Sequence, residues 1–536
     1  MPQFSIVIPT CRRADTLVHA LRSASEQDFD DFEILVHESG DDPATARAVE
    51  SIVDPRIRHI KTVRRVPMVE NWEAALRCAA GTYITFVGDD DGLFPGACSA
   101  AAEILKSNPS DLLSWRPACY YWPRYFIPEM RNRLVLDLPR ERGVESLDSR
   151  SALELVYQFR QNYSELPMIY NSFVSRTLVD RILEKAGRYF IGSAPDVTSG
   201  IANAWFSEHF LLSRTPLSCS GLSHNSTGHR LFFSSSDLLW NEATAESLGG
   251  NGSPVPMKDL NLYLAGEMLA AKQLLFPEGP PFLNHRNLLW SAVRALNHPP
   301  LRYDERLSEI RQLAAHLDIS IDEWIEPPLG NGAGPAQGLQ FRTDGILLDI
   351  DCSKMELLNI YQVTQFMSAL LPRSSYEKAV PREAIARSIL PGCDTVLQFG
   401  RGGNGLAFLS FGWGEPEQWG VWSLGSSAEI VIPVQGNRQS LPELTVKGDL
   451  LIHSLRPSAR GSISLNGGPA TEFEASVEQP SVSASLAPPS GAVLDGSLTL
   501  GFRIENSRSP AEDGVGPDTR RLGFALKEIE IRWPAH

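Results

Sequence analysis

In Gly81-Thr82-Tyr83-Ile84-Thr85-Phe86-Val87-Gly88-Asp89-Asp90-Asp91-Gly92, a glycine closes a helical stretch, an apolar run follows, and three carboxylates come at once after it. The run Thr82 to Val87 reads as a buried strand. Three adjacent acids at its carboxyl end repel one another and raise each other's pKa unless a counter-charge is present. A divalent cation removes that conflict, and Mg²⁺ or Mn²⁺ held by one or two carboxylates plus substrate phosphates is a familiar solution. The flanking glycines allow close approach of a phosphate. The same residues also read as an acidic surface turn ahead of the helix after Pro95.

Upstream, the pattern alternates. Phe4 to Ile8 is a short apolar run ended by Pro9, and Asp15 is placed to cap a helix with Leu17, Ala20, Leu21 and Ala24 on its apolar face. Glu33 to His37 is a second strand. Asp42-Pro43 is a cap with proline in the first turn of a helix bearing Val49, Ile52 and Val53. Ile57 to Lys61 is a third strand, and Val69, Trp72, Leu76 and Ala79 form the next helical stripe. This β-α-β-α-β-α-β order predicts a doubly wound, mostly parallel sheet. Ligands of such sheets sit beyond the strands' carboxyl ends, which directs attention to residues 9–13, 38–42 and 88–92.

Downstream, residues 110–230 are mixed. They contain an aromatic cluster (Trp115, Tyr120, Tyr121, Trp122, Tyr125, Phe126), helical stretches near 145–160 and 176–187, and a loop-rich segment with Asp196, His224 and His229. The aromatic cluster suits core or lid packing better than sugar stacking. Residues 236–335 read as a helical connector, with helices at Leu260 to Leu275 and Arg286 to Leu296 and a linker at Pro327 to Gly338. From 336 to 536, short β-type runs alternate with turn residues: Thr395–Phe399, Leu406–Phe411, Glu429–Pro433, Leu450–Ser454, Leu498–Glu505 and Ile529–Trp533. That spacing predicts a β-sandwich or jelly roll. The aromatic-rich stretch Phe411 to Trp422 fits a sandwich core, with carbohydrate stacking as the competing reading.

Composition narrows the class. A net charge of −15 argues against broad nucleic-acid binding. No run approaches the ~20 apolar residues that span a bilayer, so any membrane association is expected to be peripheral. No secretory signal is visible at the N-terminus. Seven scattered cysteines with no Cys-x-x-Cys point to reduced thiols rather than a zinc site or disulfide framework, and together with the missing signal to a cytoplasmic location.

Taken together, Ser5-Ile6-Val7-Ile8-Pro9-Thr10, Phe32-Glu33-Ile34-Leu35-Val36-His37-Glu38-Ser39-Gly40 and Gly81 to Asp91 resemble, in order and spacing, the family 2 glycosyltransferases of the GT-A fold. The resemblance covers about residues 3–230, within an expected first domain of residues 1–235. It implies an inverting transferase that takes a nucleotide-diphosphate sugar, with a UDP-sugar favoured and Mn²⁺ or Mg²⁺ as cofactor. Its acceptor would be a glycan, lipid-linked or protein-linked, in surface polysaccharide assembly.

By that resemblance, Pro9 and Thr10 match the nucleotide-contacting loop, with Arg12 and Arg13 beside it to meet a phosphate. Glu38 stands where the family usually has a base-contacting aspartate. Gly88 replaces the first acid of the Asp-x-Asp-Asp pattern. Asp90 aligns with the metal ligand, and either Asp89 or Asp91 takes the ribose or a second metal contact. An inverting transfer needs a general base, and Asp196 lies at the family's usual distance from the metal motif. Its competing role is a helix N-cap. His224 and His229 are candidates for contact with the metal or diphosphate, or plain loop histidines. Two other classes fit less of the chain: a nucleotide-sugar or glycan binding protein without catalysis, and a sugar nucleotidyltransferase. The latter generally carries a glycine-rich basic loop after its first strand, unlike Pro9 to Arg13.

Overall fold

The computed structural model describes residues 1–139, 143–226, 258–297, 302–325, 338–341, 345–371, 380–381, 393–401, 403–434, 442–486 and 496–534. The chain forms two compact units: residues 1–283, 299–309 and 330–382 make the first, and residues 284–298, 310–329 and 383–536 the second.

The first unit opens with β1 (Phe4–Thr10), α1 (Ala14–Ser25), β2 (Phe32–Glu38), α2 (Pro43–Glu50), β3 (Ile57–Lys61), α3 (Met68–Cys78) and β4 (Tyr83–Phe86). Both β1 and β2 are buried along their whole length, as expected of strands covered on both faces. Pro9 does not end β1. Pairing with β4 stops at Val7, so Pro9 lies where β1 has a strand neighbour only in β2, and its missing N–H is tolerated. Asp42 caps α2, its side chain accepting the Ala44 N–H at 3.2 Å. Asp15 sits in the first turn of α1 rather than at its cap, which Arg13 occupies.

After β4 come β5 (Gly92–Leu93), α4 (Ala97–Ser107), β6 (Leu112–Trp115), β7 (Ala118–Tyr121), β8 (Arg133–Pro139), β9 (Val144–Asp148), α5 (Ser149–Tyr157), β10 (Ser172–Ser175), α6 (Arg176–Ala186), α7 (Pro195–Trp205), β11 (His209–Ser213) and β12 (Ser218–Leu222). Later elements are α8 (Leu260–Leu275), α9 (His285–Ala295), α10 (Tyr303–His316), β13 (Gly338–Phe341), β14 (Gly345–Asp351), α11 (Ile360–Leu370) and β15 (Val380–Pro381).

The main sheet has the order β15-β9-β11-β6-β10-β4-β1-β2-β3. The β3-β2-β1-β4 part is parallel, and β10 enters antiparallel between β4 and β6. One apolar cluster packs α3, α7 and α8 on one face, including Trp72, Phe86, Tyr189 and Met268, and a second joins α1 and α4 to the other face. Trp115, Tyr120 and Tyr125 are fully buried, so most of the aromatic cluster is core.

A second sheet, β13-β14-β8-β7-β12-β5, belongs to the same unit. Here the structure corrects the expected boundary at 336. Strand β14 pairs with β8 over seven residues, and the fully buried Ile360, Val363 and Met367 of α11 join Phe94, Tyr120 and Leu134 in one core. A buried Arg133–Asp349 ion pair, Nε to Oδ1 2.9 Å, fixes that strand pairing. The expected connector is likewise divided between the units: α8 packs with the first, and α9 lies in the second. Most of the expected Pro327–Gly338 linker lies outside the described residues.

The second unit contains a sandwich of two antiparallel sheets, with alternating burial along strands such as Ser427–Pro433, Glu443–Leu450 and Ser497–Ile504, and its core runs from Leu397 to Ile531. The expected strand Leu406–Phe411 is a 3-10 turn at Leu406–Phe408, and the expected Leu450–Ser454 begins where the strand Glu443–Leu450 ends. Trp413 is in the sandwich core, whereas Trp419 is 40% exposed.

Candidate active site

The acid triplet leaves β4 beside the carboxyl end of β1, and each acid is engaged differently. Asp89 is buried and holds the first loop: Thr10 Oγ1 donates to Oδ2 at 2.8 Å, and Arg13 Nη1 donates to Oδ1 at 3.0 Å. Asp90 is buried and receives two hydroxyls on one oxygen, as Ser223 Oγ and Ser226 Oγ both donate to Oδ2 at 2.6 Å. Asp91 holds the loop itself, accepting the Gly88 N–H at 3.0 Å and the Gly221 N–H at 2.6 Å. The Asp90 carbonyl accepts the Trp122 Nε1–H at 3.0 Å.

Strand β12 must come very close to make these bonds. A Cβ on Gly221 would lie 1.7 Å from the Asp90 carbonyl oxygen, so only glycine fits there. The segment that follows, Ser223 to Ser226, folds over the acids and is tied to the first loop by Arg13 Nη2, which donates to the Asn225 carbonyl at 2.5 Å.

The electrostatics follow from this crowding. Burial, then the Asp90 charge, push the Asp91 carboxyl up to about 8, against the two N–H donors that lower it. Asp89 is also raised, mainly by burial, with Arg13 opposing and Asp90 adding to the shift. Burial works against the charge on Arg13, but Asp89 and Asp90 outweigh it and raise its pKa. Asp89 thus has its cation within the protein. Among the described residues Asp90 and Asp91 pair with none.

These residues fit a hard divalent cation. Among the described residues Asp90 Oδ1 accepts no hydrogen bond, and no three His, Cys, Asp or Glu side chains form a complete cage. A cation here would take one or two carboxylates and complete its shell from phosphate oxygens and water, as Mg²⁺ and Mn²⁺ sites often do.

Asp196 approaches the same site from α7. It is in the first turn behind Pro195, and the cap position belongs to Ala194, so Asp196 is not the N-cap. Burial raises its pKa. Tyr170 links it to the acid loop. Burial first, then the charges of Asp91, Asp196, Asp90 and Asp89, lift this phenol well above its usual value, so it keeps its proton. Its ring lies edge-on to Trp72 with centroids 4.7 Å apart. Next to it, Ile169 joins both halves of the site: its carbonyl accepts Thr85 Oγ1 of β4 at 3.5 Å, and its N–H donates to Ser199 Oγ of α7 at 3.3 Å.

The other expected residues are less central. Glu38 is fully buried, accepting the Asp42 N–H at 2.6 Å and lying 2.9 Å from His59 Nε2. Arg12 is exposed, with a left-handed φ of 55°. Pro9 is buried at the end of β1. His224 Nε2 accepts from Asn225 Nδ2 at 3.0 Å, in the segment covering Asp90. His229 lies outside the described residues. Sequence reasoning missed Tyr170, Ser223 and Ser226. A tyrosine after an apolar run and serines in a loop carry no local signal of a site.

An acidic, phosphate-compatible site at the carboxyl ends of β1 and β4 in a doubly wound sheet defines a nucleotide-binding α/β domain of the GT-A type. Residues 5–170 match the family model described as Glycosyl transferase family 2, and the chain carries a domain of that family. One curated relative is the GalNAc(5)-diNAcBac-PP-undecaprenol beta-1,3-glucosyltransferase of Campylobacter jejuni, 34% identical over 103 residues, which are 18% of this chain and 33% of that protein. Another is the PGL/p-HBAD biosynthesis glycosyltransferase of Mycobacterium tuberculosis, 32% identical over 117 residues, 21% of this chain and 45% of that protein. The chain thus spans between a third and a half of the length of these relatives. A solved structure of S. aureus TarS 1-349 with UDP-GlcNAc is similar at a TM-score of 0.37 and 15% identity, over 59% of this chain and 92% of that one.

Proposed function

We propose that this protein is an inverting, metal-dependent glycosyltransferase that moves a sugar from a nucleotide-diphosphate sugar, a UDP-sugar by preference, to a glycan or lipid-linked acceptor in surface polysaccharide assembly on the cytoplasmic side. The observation that carries this reading is that the strand leading into the Asp89–Asp91 loop and the helix bearing Asp196 are bridged by Ile169, beside Tyr170, whose phenol feels the charges of all four acids. The two curated relatives described above are named as glycosyltransferases, one of them for an undecaprenol-linked substrate.

Each residue then has a task. Thr10 and Arg13 hold Asp89 at the end of β1, where a nucleotide would lie. Glu38, fully buried and engaged by the Asp42 N–H and His59, shapes the same strand ends rather than meeting the base itself. Asp90, with Asp91 beside it, would hold Mn²⁺ or Mg²⁺, which neutralises the developing charge of a diphosphate leaving group. Asp196 takes the proton of the acceptor hydroxyl as that oxygen attacks the anomeric carbon. Its environment, with a raised pKa, suits a base better than that of an exposed aspartate. Tyr170, protonated and between the acids, offers a hydrogen bond to the sugar being transferred. Among the described residues no helix is long and apolar enough to cross a membrane, so a lipid-linked acceptor would be met at the membrane surface.

The test is a screen of UDP-, GDP- and dTDP-sugars with Mn²⁺ or Mg²⁺, scoring turnover and thermal stabilisation. One donor is expected to respond in a metal-dependent manner, releasing a nucleoside diphosphate, with the response lost in Asp90→Ala. Release of pyrophosphate would make the protein a nucleotidyltransferase. Binding without turnover, unchanged by Asp196→Asn, would make it a binding protein.

A further inference from the structure

Helix α8 begins some 90 residues beyond the segment that matches the family model, and it places a buried carboxylate directly behind Asp196. Glu267 is fully buried and pairs with no cation among the described residues. Its oxygens serve one short stretch of chain. Oε2 accepts the Ser193 N–H at 2.9 Å and the Ala194 N–H at 3.1 Å, and Oε1 accepts the Ser193 hydroxyl. Tyr263, one turn earlier on α8, places its hydroxyl 2.7 Å from Ser193 Oγ. Gly192 completes the grip. Its φ is +72°, and a Cβ there would lie 2.2 Å from Glu267 Oε2, so the carboxylate occupies the space that a side chain would need.

The gripped residues run straight into Pro195 and Asp196, which open α7. Burying a lone carboxylate is unfavourable before its hydrogen bonds are counted. A packing role alone is met more cheaply by leucine or methionine. One carboxylate oxygen takes two successive N–H groups and the other takes a hydroxyl, so the turn is held by a polar acceptor rather than by packing.

We propose that Glu267 is a positioning residue for the transfer step: it fixes the Gly192–Ala194 turn so that Asp196 enters α7 facing the Asp89–Asp91 loop across Tyr170. This rests on the reading of Asp196 as the general base. It makes α8 a working part of the active site, although none of its residues need touch a substrate.

The experiment is a double-mutant cycle on the full chain. Wild type, Glu267→Gln, Asp196→Asn and the double variant are compared for kcat and donor KM, and for the affinity of UDP with Mn²⁺. Glu267→Gln keeps the shape but leaves one accepting oxygen. It should lower kcat by about tenfold with donor KM and UDP affinity within about twofold of wild type, and the double variant should be no slower than Asp196→Asn alone. Should Glu267→Gln not fold, Ser193→Ala, which removes one of the three donors, must show the same split on a smaller scale. Wild-type kcat in the Glu267 variant, a loss of UDP affinity matching the loss of kcat, or a further multiplicative loss in the double variant would each overturn the proposal. If Asp196→Asn itself turns over at the wild-type rate, the base assignment fails instead. An inactive Asp196→Asn beside an unimpaired Glu267→Gln would remove the positioning role and leave the base in place.

Discussion

Asp91 is the residue at which the cost of assembling the site is concentrated. Its carboxyl is raised to about 8 by burial and by Asp90, while in the unfolded chain it returns to the ordinary aspartate value. Between about pH 4 and about pH 8 the folded state therefore holds the proton that the unfolded state has lost, and this group makes stability fall as pH rises through that window. We expect the melting temperature in chelator to show this decline. Asp91→Asn should flatten it, and Mn²⁺ with UDP should reduce it, because a cation removes the repulsion between Asp90 and Asp91. A second prediction belongs to Gly221. In Gly221→Ala the new methyl meets a backbone carbonyl rather than a flexible side chain. The expected cost is about 1–3 kcal/mol, read by chemical denaturation. UDP–Mn²⁺ affinity should fall too, because the carbonyl displaced belongs to Asp90.

At the scale of elements, the family-2 segment depends on structure supplied from far along the chain. Strand β14 covers β8, and α11 packs against the start of β5: a Cβ on Gly92 would lie 2.8 Å from Thr364 Cγ2. Arg133 and Asp349 are separated by 216 residues, and both are nearly buried. Asp349→Ala leaves the guanidinium buried without its partner and should cost about 3–5 kcal/mol. Arg133→Met in the Asp349→Ala background should recover part of that loss, measured by the same denaturation. The short-range features were legible in the sequence. Asp42-Pro43 starts α2, and Leu260 to Leu275 is a helix over the expected span, because caps and periodicity act within a few turns. The pairing of β14 with β8 was not legible, since a short apolar run such as Ile346 to Leu348 carries no mark of which edge it will join.

For the whole molecule, two units with separate cores imply two unfolding events. Scanning calorimetry should resolve two transitions. UDP with Mn²⁺ should move only the one that contains the acid loop, by about 2.7 kcal/mol at a hundred times the dissociation constant. A single transition shifted as a whole would mean that the units unfold together. Trp419, exposed on the sandwich, gives the second transition an optical reporter.

By itself the sequence determined the four strands β1 to β4 of a mostly parallel sheet, the acid triplet at the end of β4 and the sandwich character of the C-terminal strands. These are set by hydrophobic period and by turn residues, which act over about a dozen positions. Only the tertiary structure decided that β10 divides β4 from β6, and that β14 and α11 return to the first unit. It alone assigned each acid its partners: Asp89 to Arg13, Asp90 to Ser223 and Ser226, Asp91 to the N–H groups of Gly88 and Gly221. The physical reason is common to all of these. Serines, a glycine and a buried glutamate gain their roles from what lies within hydrogen-bond distance after burial, and no local pattern encodes a neighbour dozens of residues away.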